Sequence, residues 1–574
     1  MEFIKKNKTL IILLILASFC LLLSTGTVAN VYIDVGREIY YPKAILEGKI
    51  LYKDLFCIYG PFSYLFNALL YKIFGESLNT LYGIGTISAL LIVSFVYLIS
   101  KKFLSDFVSI SITLFVIIIG CLATRIFNYT LPYSYAVLFG LVCFLVSLYF
   151  LIKFIENKKE KNLILASFFG GLSFINKYDF LLYIIPLTIV ILKTKNWKLI
   201  LKSYLSYLTP IIFSFLILFI QGLKISDLFH MMGVIKSFTL TDAMKTFYVT
   251  QGVYYTNKVW MGWFDSLVAD LIYLIFIIPS VYLFNKKNLF LKILAIIVVL
   301  ICFILGSTYI KQTDYLFLTF LTLVLFVLRF NKNSFLENIV ILSSLSISLK
   351  SLWGLSHVNY GIYYAPSILI SFFILLKNNS NKNLVNSINI FLLVMLSSFL
   401  LTNLSWVINM QGEIKTNKGT ITTVNEWGKI TSDIIGYIDN IKEENPNILI
   451  LPEGLIINFL TNKKNTPDGF YNSLIPLYTE GFGEENIIEH YKKIAPDYFI
   501  VTNMQTGSYD KGEICNTYAF NICRFILDNY IPIEKFEDKG SMAVIFYKGK
   551  KLWYLMILKI LIYMKLIQLL KILF

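Results

Sequence analysis

Residues 9–29 read TLIILLILASFCLLLSTGTVA, and five residues later the chain has become Asp34-Val-Gly-Arg37-Glu38. The first stretch carries no charged side chain and has the length a helix needs to cross a bilayer core. A basic start, MEFIKKNK, precedes it. As a signal peptide the run would be cut near Thr27-Val-Ala29, a poor cleavage site. Its length and the charged loop behind it favour a retained span instead. The loop continues through Gly48-Lys-Ile-Leu-Tyr52-Lys53-Asp54 and Tyr59-Gly60-Pro61.

The same alternation of oily block and short polar loop recurs along the chain. Further apolar blocks lie near 79–100, 103–121, 133–153, 162–176, 180–193, 201–221, 266–284, 289–308, 314–329, 335–350, 358–377 and 384–407. With 57% hydrophobic residues and a mean hydropathy of +0.69, the chain exceeds the apolar content of ordinary soluble domains. Backbone in lipid must satisfy its own hydrogen bonds, so these blocks are expected to be helices. The expected fold is an all-α polytopic membrane protein of about 13 transmembrane helices, with a small C-terminal α/β extracytoplasmic domain.

The net charge of +16 sits mostly in the short loops. No basic stripe interleaved with stacking aromatics occurs, so no nucleic-acid partner is expected. With the N-terminus cytoplasmic, one set of loops holds Lys101 and Lys102; Lys153, Lys158, Lys159 and Lys161; Lys193, Lys195, Lys198 and Lys202; Lys286, Lys287 and Lys292; Arg329 and Lys332; Lys377 and Lys382. The opposite loops hold single cations, Arg125, Lys177, Lys311 and Lys350. That asymmetry is the positive-inside pattern of a multi-pass protein of the cell (cytoplasmic) membrane. It assigns residues 1–410 to the membrane domain, with outer loops 30–78 and 222–265. Residues 411–550 then lie outside, and 551–574 form an interfacial or transmembrane tail helix with recurring lysines.

Loop 30–78 is expected to contain an interfacial helix ending at Phe74-Gly75. Loop 222–265, with Tyr248, Tyr254, Tyr255, Trp260 and Trp263, reads either as a membrane anchor or as a lid. In the outer domain, 447–451, 497–501 and 542–546 read as strands, and 484–494 and 520–530 as helices. Cys515 and Cys523 are the one cysteine pair in a soluble stretch, and outside the cell they are expected to form a disulfide. The three histidines, His230, His357 and His490, are far apart and show no metal-ligand spacing.

Several side chains have the chemistry for catalysis. Asp34, tethered at the membrane surface, is either a base for a hydroxyl nucleophile or a solvated loop aspartate. Asp54 is either a second acid, binding a divalent ion (Mg or Mn) or a sugar hydroxyl, or a turn cap. Arg37 and Glu38 are neighbours that pair readily. Glu453, at a strand end, is either an acceptor contact or an ordinary surface acid. His357, near Tyr360, Tyr363 and Tyr364, reads as a sugar or phosphate contact or as a structural histidine.

The pattern Asp34-x-Gly36 … Ile45-Leu-x-Gly48 … Leu51-Tyr-x-Asp54-x-Phe56 … Tyr59-Gly-Pro61-x-x-Tyr64 … Ala68-Leu … Phe74-Gly75 resembles the first outer loop of the GT-C superfamily of glycosyltransferases. It looks most like bacterial members related to protein O-mannosyltransferases and aminoarabinose transferases. Gly170-Gly-Leu-Ser-Phe-Ile-Asn-Lys177-Tyr resembles their glycine-rich span ending in lysine. Leu451-Pro-Glu453-Gly with Asn458-Phe-Leu, Pro496-Asp-Tyr and Asn529-Tyr530 resembles their outer domain.

The resemblance implies inverting transfer of a sugar from a polyprenyl-phosphate donor to a hydroxyl on the outer face. Asp34 takes the place of the family's general base, and Asp54 is the second acid. Related transferases often carry a lysine before the loop's Pro-Pro pair, where this chain has Ile58-Tyr59-Gly60-Pro61. Lys53, Arg125, Lys177 and Arg37 are therefore the candidate phosphate partners, and Glu38, His357 and Tyr64 the candidate sugar or acceptor contacts. The implied partners are the lipid-linked donor, membrane lipids, and a lipid-linked glycan, polysaccharide or protein acceptor. Two rivals share the gross features. One is a polysaccharide polymerase or ligase with a lipid-diphosphate donor, which the outer α/β domain disfavours. The other is a transporter or flippase, disfavoured because charges cluster at span ends and no internal repeat shows.

Overall fold

The computed structural model describes residues 7–28, 32, 34–123, 127–250, 257–309, 317–349, 360–378, 381–463, 470–506 and 509–548. Every apolar block read from the sequence forms a helix. These are Lys8–Ser24, Leu78–Phe103, Asp106–Val116 (extended by a π-turn, Ile117–Cys121), Tyr135–Asn157, Glu160–Asn176, Ile184–Lys193, Trp197–Gln221, Asn257–Phe284, Leu289–Tyr309, Phe317–Arg329, Phe335–Ser348, Ala365–Lys377 and Lys382–Asn409. Among the described residues, five helical stretches, Leu78–Phe103, Tyr135–Asn157, Trp197–Gln221, Leu267–Phe284 and Lys382–Asn409, are long and apolar enough to cross a membrane. The figure of about 13 spans remains an expectation of the sequence.

Ile212, Phe213, Ile220, Ile275 and Ile304 are exposed on these helices. Contiguous apolar surface of this kind is what lipid solvates. Lipid gives no hydrophobic drive between helices, so small and hydroxyl residues carry the contacts. Ser173 Oγ donates to the Gly140 carbonyl at 2.7 Å, and Ser147 Oγ to the Ala166 carbonyl at 2.5 Å. Both bonds join the helices Tyr135–Asn157 and Glu160–Asn176.

The first outer loop holds two helices where one was expected. Phe62–Phe74 ends as foreseen, at Gly75 with φ +94°. Val35–Leu46 was not foreseen, because Gly36, Pro42 and its β-branched residues depress helix propensity. Packing overrides that preference: Ile39, Tyr40, Tyr41 and Ala44 are all buried. The second outer loop forms the helices Ile225–Thr239 and Asp242–Thr250. They dock on the C-terminal domain: Ser237 Oγ donates to the Gly481 carbonyl at 3.0 Å, and the Ala243 N–H to Glu480 at 2.9 Å. Tyr254 and Tyr255, and the side chains of Trp260 and Trp263, lie outside the described residues.

The C-terminal domain opens with a hairpin, β1 (Gly412–Thr416) and β2 (Gly419–Thr423). This hairpin ties the domain to the membrane unit: the Val28 N–H donates to the Thr422 carbonyl and the Thr422 N–H to the Gly26 carbonyl, both at 2.8 Å. The main sheet comprises β3 (Ile448–Leu451), β4 (Tyr498–Thr502), β5 (Ile531–Asp538) and β6 (Ser541–Tyr547), in the order β3-β4-β6-β5. β3 and β4 are parallel and the other pairs antiparallel. Apolar β3, β4 and β6 match the sequence expectation. β5 was not foreseen; its charged, largely exposed residues are those of an edge strand. Cys515 and Cys523 are joined in a disulfide. The tail 551–574 lies outside the described residues.

Candidate active site

Asp34 stands at the N-terminus of the helix Val35–Leu46, with φ +60° and ψ −44°. An aspartate here ordinarily folds back to cap its own helix. Asp34 makes no side-chain cap bond. Its carboxylate pairs instead with Arg37 Nη2 at 3.3 Å, on the same face one turn along, and is 24% exposed. The acid is thus held by a cation and open to a cavity, in a backbone conformation that an L residue seldom adopts.

Arg37 has four engagements. Besides Asp34 it meets Glu38 Oε1 through Nε at 3.2 Å and the Tyr133 carbonyl through Nη2 at 3.3 Å, and it lies 5.1 Å from the Tyr59 ring centroid. Lys177 approaches the same ring at 5.3 Å and the Tyr133 ring at 5.0 Å. Its ammonium donates to the Tyr133 phenol and pairs with Asp179 at 3.2 Å. Tyr364 holds Asp179 in turn, donating at 2.8 Å. Tyr59 and Tyr133 therefore bridge two cations that are 140 residues apart in sequence. Gly60 makes the approach possible: its N–H donates to the Asn176 carbonyl at 3.1 Å, and a Cβ there would fall 1.7 Å from the Ile175 carbonyl oxygen.

The far wall comes from the C-terminal domain. A small cavity, with a volume of about 30 Å³, is bounded by Asp34, Arg37, Tyr41 and Phe56 on one side and by Glu453, Phe470, Asn472, Ser473 and Tyr478 on the other. Gly36 sets the spacing of the two walls, since a Cβ there would come within 2.9 Å of the Ile456 backbone nitrogen. Ser473 Oγ donates to Glu453 at 2.6 Å. Burial, then the nearby charge of Asp34, push the Glu453 carboxyl up to about 7; Ser473, Arg37 and the Asp34 N–H oppose this.

The candidates from the sequence divide clearly. Asp34 and Arg37 are brought together at the cavity, and Lys177 joins Arg37 around Tyr59. Lys53 is exposed and does not line the cavity. Asp54 accepts the Ile50 N–H at 2.9 Å, the geometry of a turn cap, and does not line the cavity. Glu38 and Tyr64 are both fully buried. Glu38 accepts from the Tyr64 hydroxyl at 2.6 Å and from the Tyr135 N–H at 2.7 Å, so its charge caps the helix Tyr135–Asn157. Neither is free to meet a sugar. Burial raises the Glu38 carboxyl above its ordinary value, and Arg37, Tyr64 and the Tyr135 N–H counter the shift. Arg125 and His357 lie outside the described residues.

Among the described residues no three His, Cys, Asp or Glu side chains converge as a metal site. The sequence missed Asn472 and Ser473 as cavity residues. The Asn176-Lys177-Tyr-Asp179 spacing was the one available sign of the Lys177 pair.

The site thus joins one carboxylate, Asp34, to two cations, Arg37 and Lys177, around the Tyr59 ring. Residues 59–222 match the family described as Dolichyl-phosphate-mannose-protein mannosyltransferase. The match includes Tyr59, Tyr133, Lys177 and Asp179 but begins after Asp34, Arg37 and Glu38. No curated protein matches the chain in sequence. Among solved structures, ArnT from Cupriavidus metallidurans bound to undecaprenyl phosphate is similar at 10% identity, over 94% of this chain and 98% of that one, with TM-score 0.44. The Archaeoglobus fulgidus oligosaccharyltransferase tethered to an acceptor peptide is similar at 13% identity, over 96% and 75%, with TM-score 0.47. The same enzyme in complex with Zn and sulfate gives 13%, over 93% and 72%, with TM-score 0.49. Likenesses at this level carry no inference about substrate.

Proposed function

We propose that this chain is an integral membrane glycosyltransferase that moves a sugar from a polyprenyl-phosphate donor to an acceptor hydroxyl on the outer face, with inversion. The observation that carries the proposal is the Asp34–Arg37 pair at the cavity mouth, backed by Lys177 across the Tyr59 ring. The acceptor oxygen attacks the anomeric carbon as its bond to phosphate breaks. Asp34 takes the hydroxyl proton. The leaving lipid phosphate departs with the bonding electrons and gathers nearly two negative charges. Arg37 and Lys177 are preorganised cations for that charge, and their aromatic surroundings exclude water.

The alternation of loop lysines supports a cytoplasmic N-terminus and an outer C-terminal domain. The test is transfer from a radiolabelled polyprenyl-phosphate hexose in membrane vesicles. Asp34→Asn keeps the shape of the side chain but cannot accept the proton, so transfer falls about 100- to 10,000-fold. Retention of more than about a tenth of wild-type transfer rejects Asp34 as the base, since a positioned base is worth far more.

A further inference from the structure

Asp34 is held where its backbone would not go unaided. Its φ of +60° and ψ of −44° lie outside the regions open to L residues, the left-handed one included, since ψ is positive there. Such a conformation persists only where surrounding groups over-determine it. The helix it heads supplies part of the restraint. The N–H groups of Arg37 and Glu38 donate to the Asp34 carbonyl at 3.1 and 3.4 Å, and Arg37 Nη2 meets the carboxylate at 3.3 Å. These contacts restrain the carbonyl and the side chain but not the amide. The Asp34 N–H is taken by the Glu453 carboxylate, from the C-terminal domain.

Glu453 is mounted firmly enough to serve as an anchor. It stands between β3 and the helix Leu455–Leu460. The Leu474 N–H donates to the Pro452 carbonyl at 2.7 Å, and Thr502 Oγ1 to the Leu451 carbonyl at 3.1 Å. Ser473 Oγ fixes the carboxylate itself at 2.6 Å. The two walls are also in close contact below the acid pair. A Cβ on Gly36, two residues after Asp34, would meet the Ile456 nitrogen at 2.9 Å and the Leu455 Cβ at 3.1 Å. The cavity beside Asp34 and Glu453 has a volume of about 30 Å³, room for about two water molecules. A sugar ring does not fit between the two side chains. The face that Glu453 turns to Asp34 therefore serves the backbone rather than a substrate.

We propose that Glu453 is a positioning residue for the base: by accepting the Asp34 N–H it holds the Asp34 backbone in its strained conformation and aims the carboxylate away from its own helix. This rests on the reading of Asp34 as the base and adds a requirement to it. The base is assembled only when the C-terminal domain is seated on the first loop. Glu453 itself touches no reacting atom. Without the tether, Asp34 relaxes to the dihedrals of an ordinary helix N-cap, and its carboxylate turns to the unpaired N–H groups of the first turn of Val35–Leu46. It is then no longer directed at an acceptor hydroxyl. The glycine contact and the Ser473 segment keep the two walls together, so the fold survives the change.

The experiment has two readouts on the full chain: transfer from a radiolabelled polyprenyl-phosphate hexose in membrane vesicles, and amide hydrogen exchange over residues 32–41 in lipid nanodiscs. Glu453→Ala should lower kcat about 100-fold, the cost of misplacing a catalytic group by about 1 Å, with the donor KM within about twofold. The Asp34 amide should exchange about fivefold faster, as for one lost hydrogen bond. Glu453→Asp keeps the charge but draws the acceptor back by one methylene, so kcat should fall about tenfold even if Glu453→Ala does not fold. Glu453→Gln should restore most of kcat and the slow exchange. Its amide oxygen accepts the Asp34 N–H, and its N–H₂ donates to Ser473 Oγ, which accepts as well as donates. In Asp34→Asn, adding Glu453→Ala should lower the residual rate by less than about twofold, because the two residues act as a unit. Wild-type kcat in folded Glu453→Ala or Glu453→Asp overturns the proposal. So do full additivity with Asp34→Asn, unchanged exchange in Glu453→Ala, or a Glu453→Gln as impaired as Glu453→Ala. Failure of the transferase reading looks different: wild type transfers nothing from the hexose donor, and the exchange measurement still decides whether Glu453 holds Asp34.

Discussion

Replacing Glu38 tests whether this carboxylate serves the substrate or the scaffold. It is fully buried and takes three donors: Arg37 Nε at 3.2 Å, the Tyr64 hydroxyl at 2.6 Å and the Tyr135 N–H at 2.7 Å. Glu38→Ala leaves the last two unpaired. Breaking a buried ion pair from one side costs about 3–5 kcal/mol. Arg37 keeps Asp34 and the Tyr133 carbonyl, which argues for the lower part of that range. Glu38→Gln keeps one acceptor oxygen but turns an amide N–H₂ toward at least one donor, so about 2–3 kcal/mol is expected. In a chain of 574 residues that corresponds to roughly 2 °C in apparent unfolding temperature. Intrinsic fluorescence during heating in nanodiscs, at one fixed scan rate, measures it.

The kinetic signature separates the two roles. As a scaffold residue, Glu38 acts through Arg37, so Glu38→Gln lowers kcat while the acceptor KM stays within about twofold, the mark of uniform binding left intact. An unfolding temperature within about 1 °C of wild type, together with a raised acceptor KM, would refute the scaffold role and restore Glu38 as a sugar contact.

Lys177→Met removes one of the two cations facing the departing phosphate, so transfer should fall about 100-fold or more, read as initial rate at saturating acceptor; an unchanged rate removes Lys177 from the donor side. Gly60→Ala forces a Cβ onto the Ile175 carbonyl, a backbone atom that cannot swing aside, and should destabilise by at least about 1–3 kcal/mol in the same heating assay. For Glu453, the folded-state carboxyl sits at about 7 against an ordinary 4.5, so the native chain holds more protons than the unfolded one between those values. Its contribution is whole below the lower value and is lost as pH rises through the upper one, by at most ~3 kcal/mol. Unfolding temperature should therefore drop from pH 5 to pH 8 in wild type and drop less in Glu453→Gln; equal slopes count against the shift.

Period and composition made the helical part legible. Each oily block became a helix because lipid leaves the backbone no other solution. The apolar runs 447–451, 497–501 and 542–546 became strands because each is buried in the sheet and bounded by turn residues. What escaped was structure decided by partners. The helix Val35–Leu46 has poor propensity and exists through what covers it. β5 carries the sequence of a loop and pairs only because β6 offers an edge. Asp34 was found because the first loop places it beside a span end. No such local rule identified Lys177 as the companion of Arg37, since their meeting depends on Tyr59 and Tyr133.

The carboxylates show why site roles lag behind fold. Asp34, Glu38, Asp54 and Glu453 are one chemical group in four surroundings. Asp54 is claimed by a backbone N–H four residues away, a local event that spacing permits but does not announce. Glu38 is claimed by an N–H 97 residues later, at the start of another helix. Glu453 owes its raised carboxyl first to burial and then to Asp34, on a loop that precedes it by more than 400 residues. Asp34 pairs with Arg37 rather than with its own helix N-terminus and lines the cavity. A base must be free to receive a proton and held where the proton leaves. In the proposed mechanism Asp34 meets both conditions, held by Arg37 and open to the cavity.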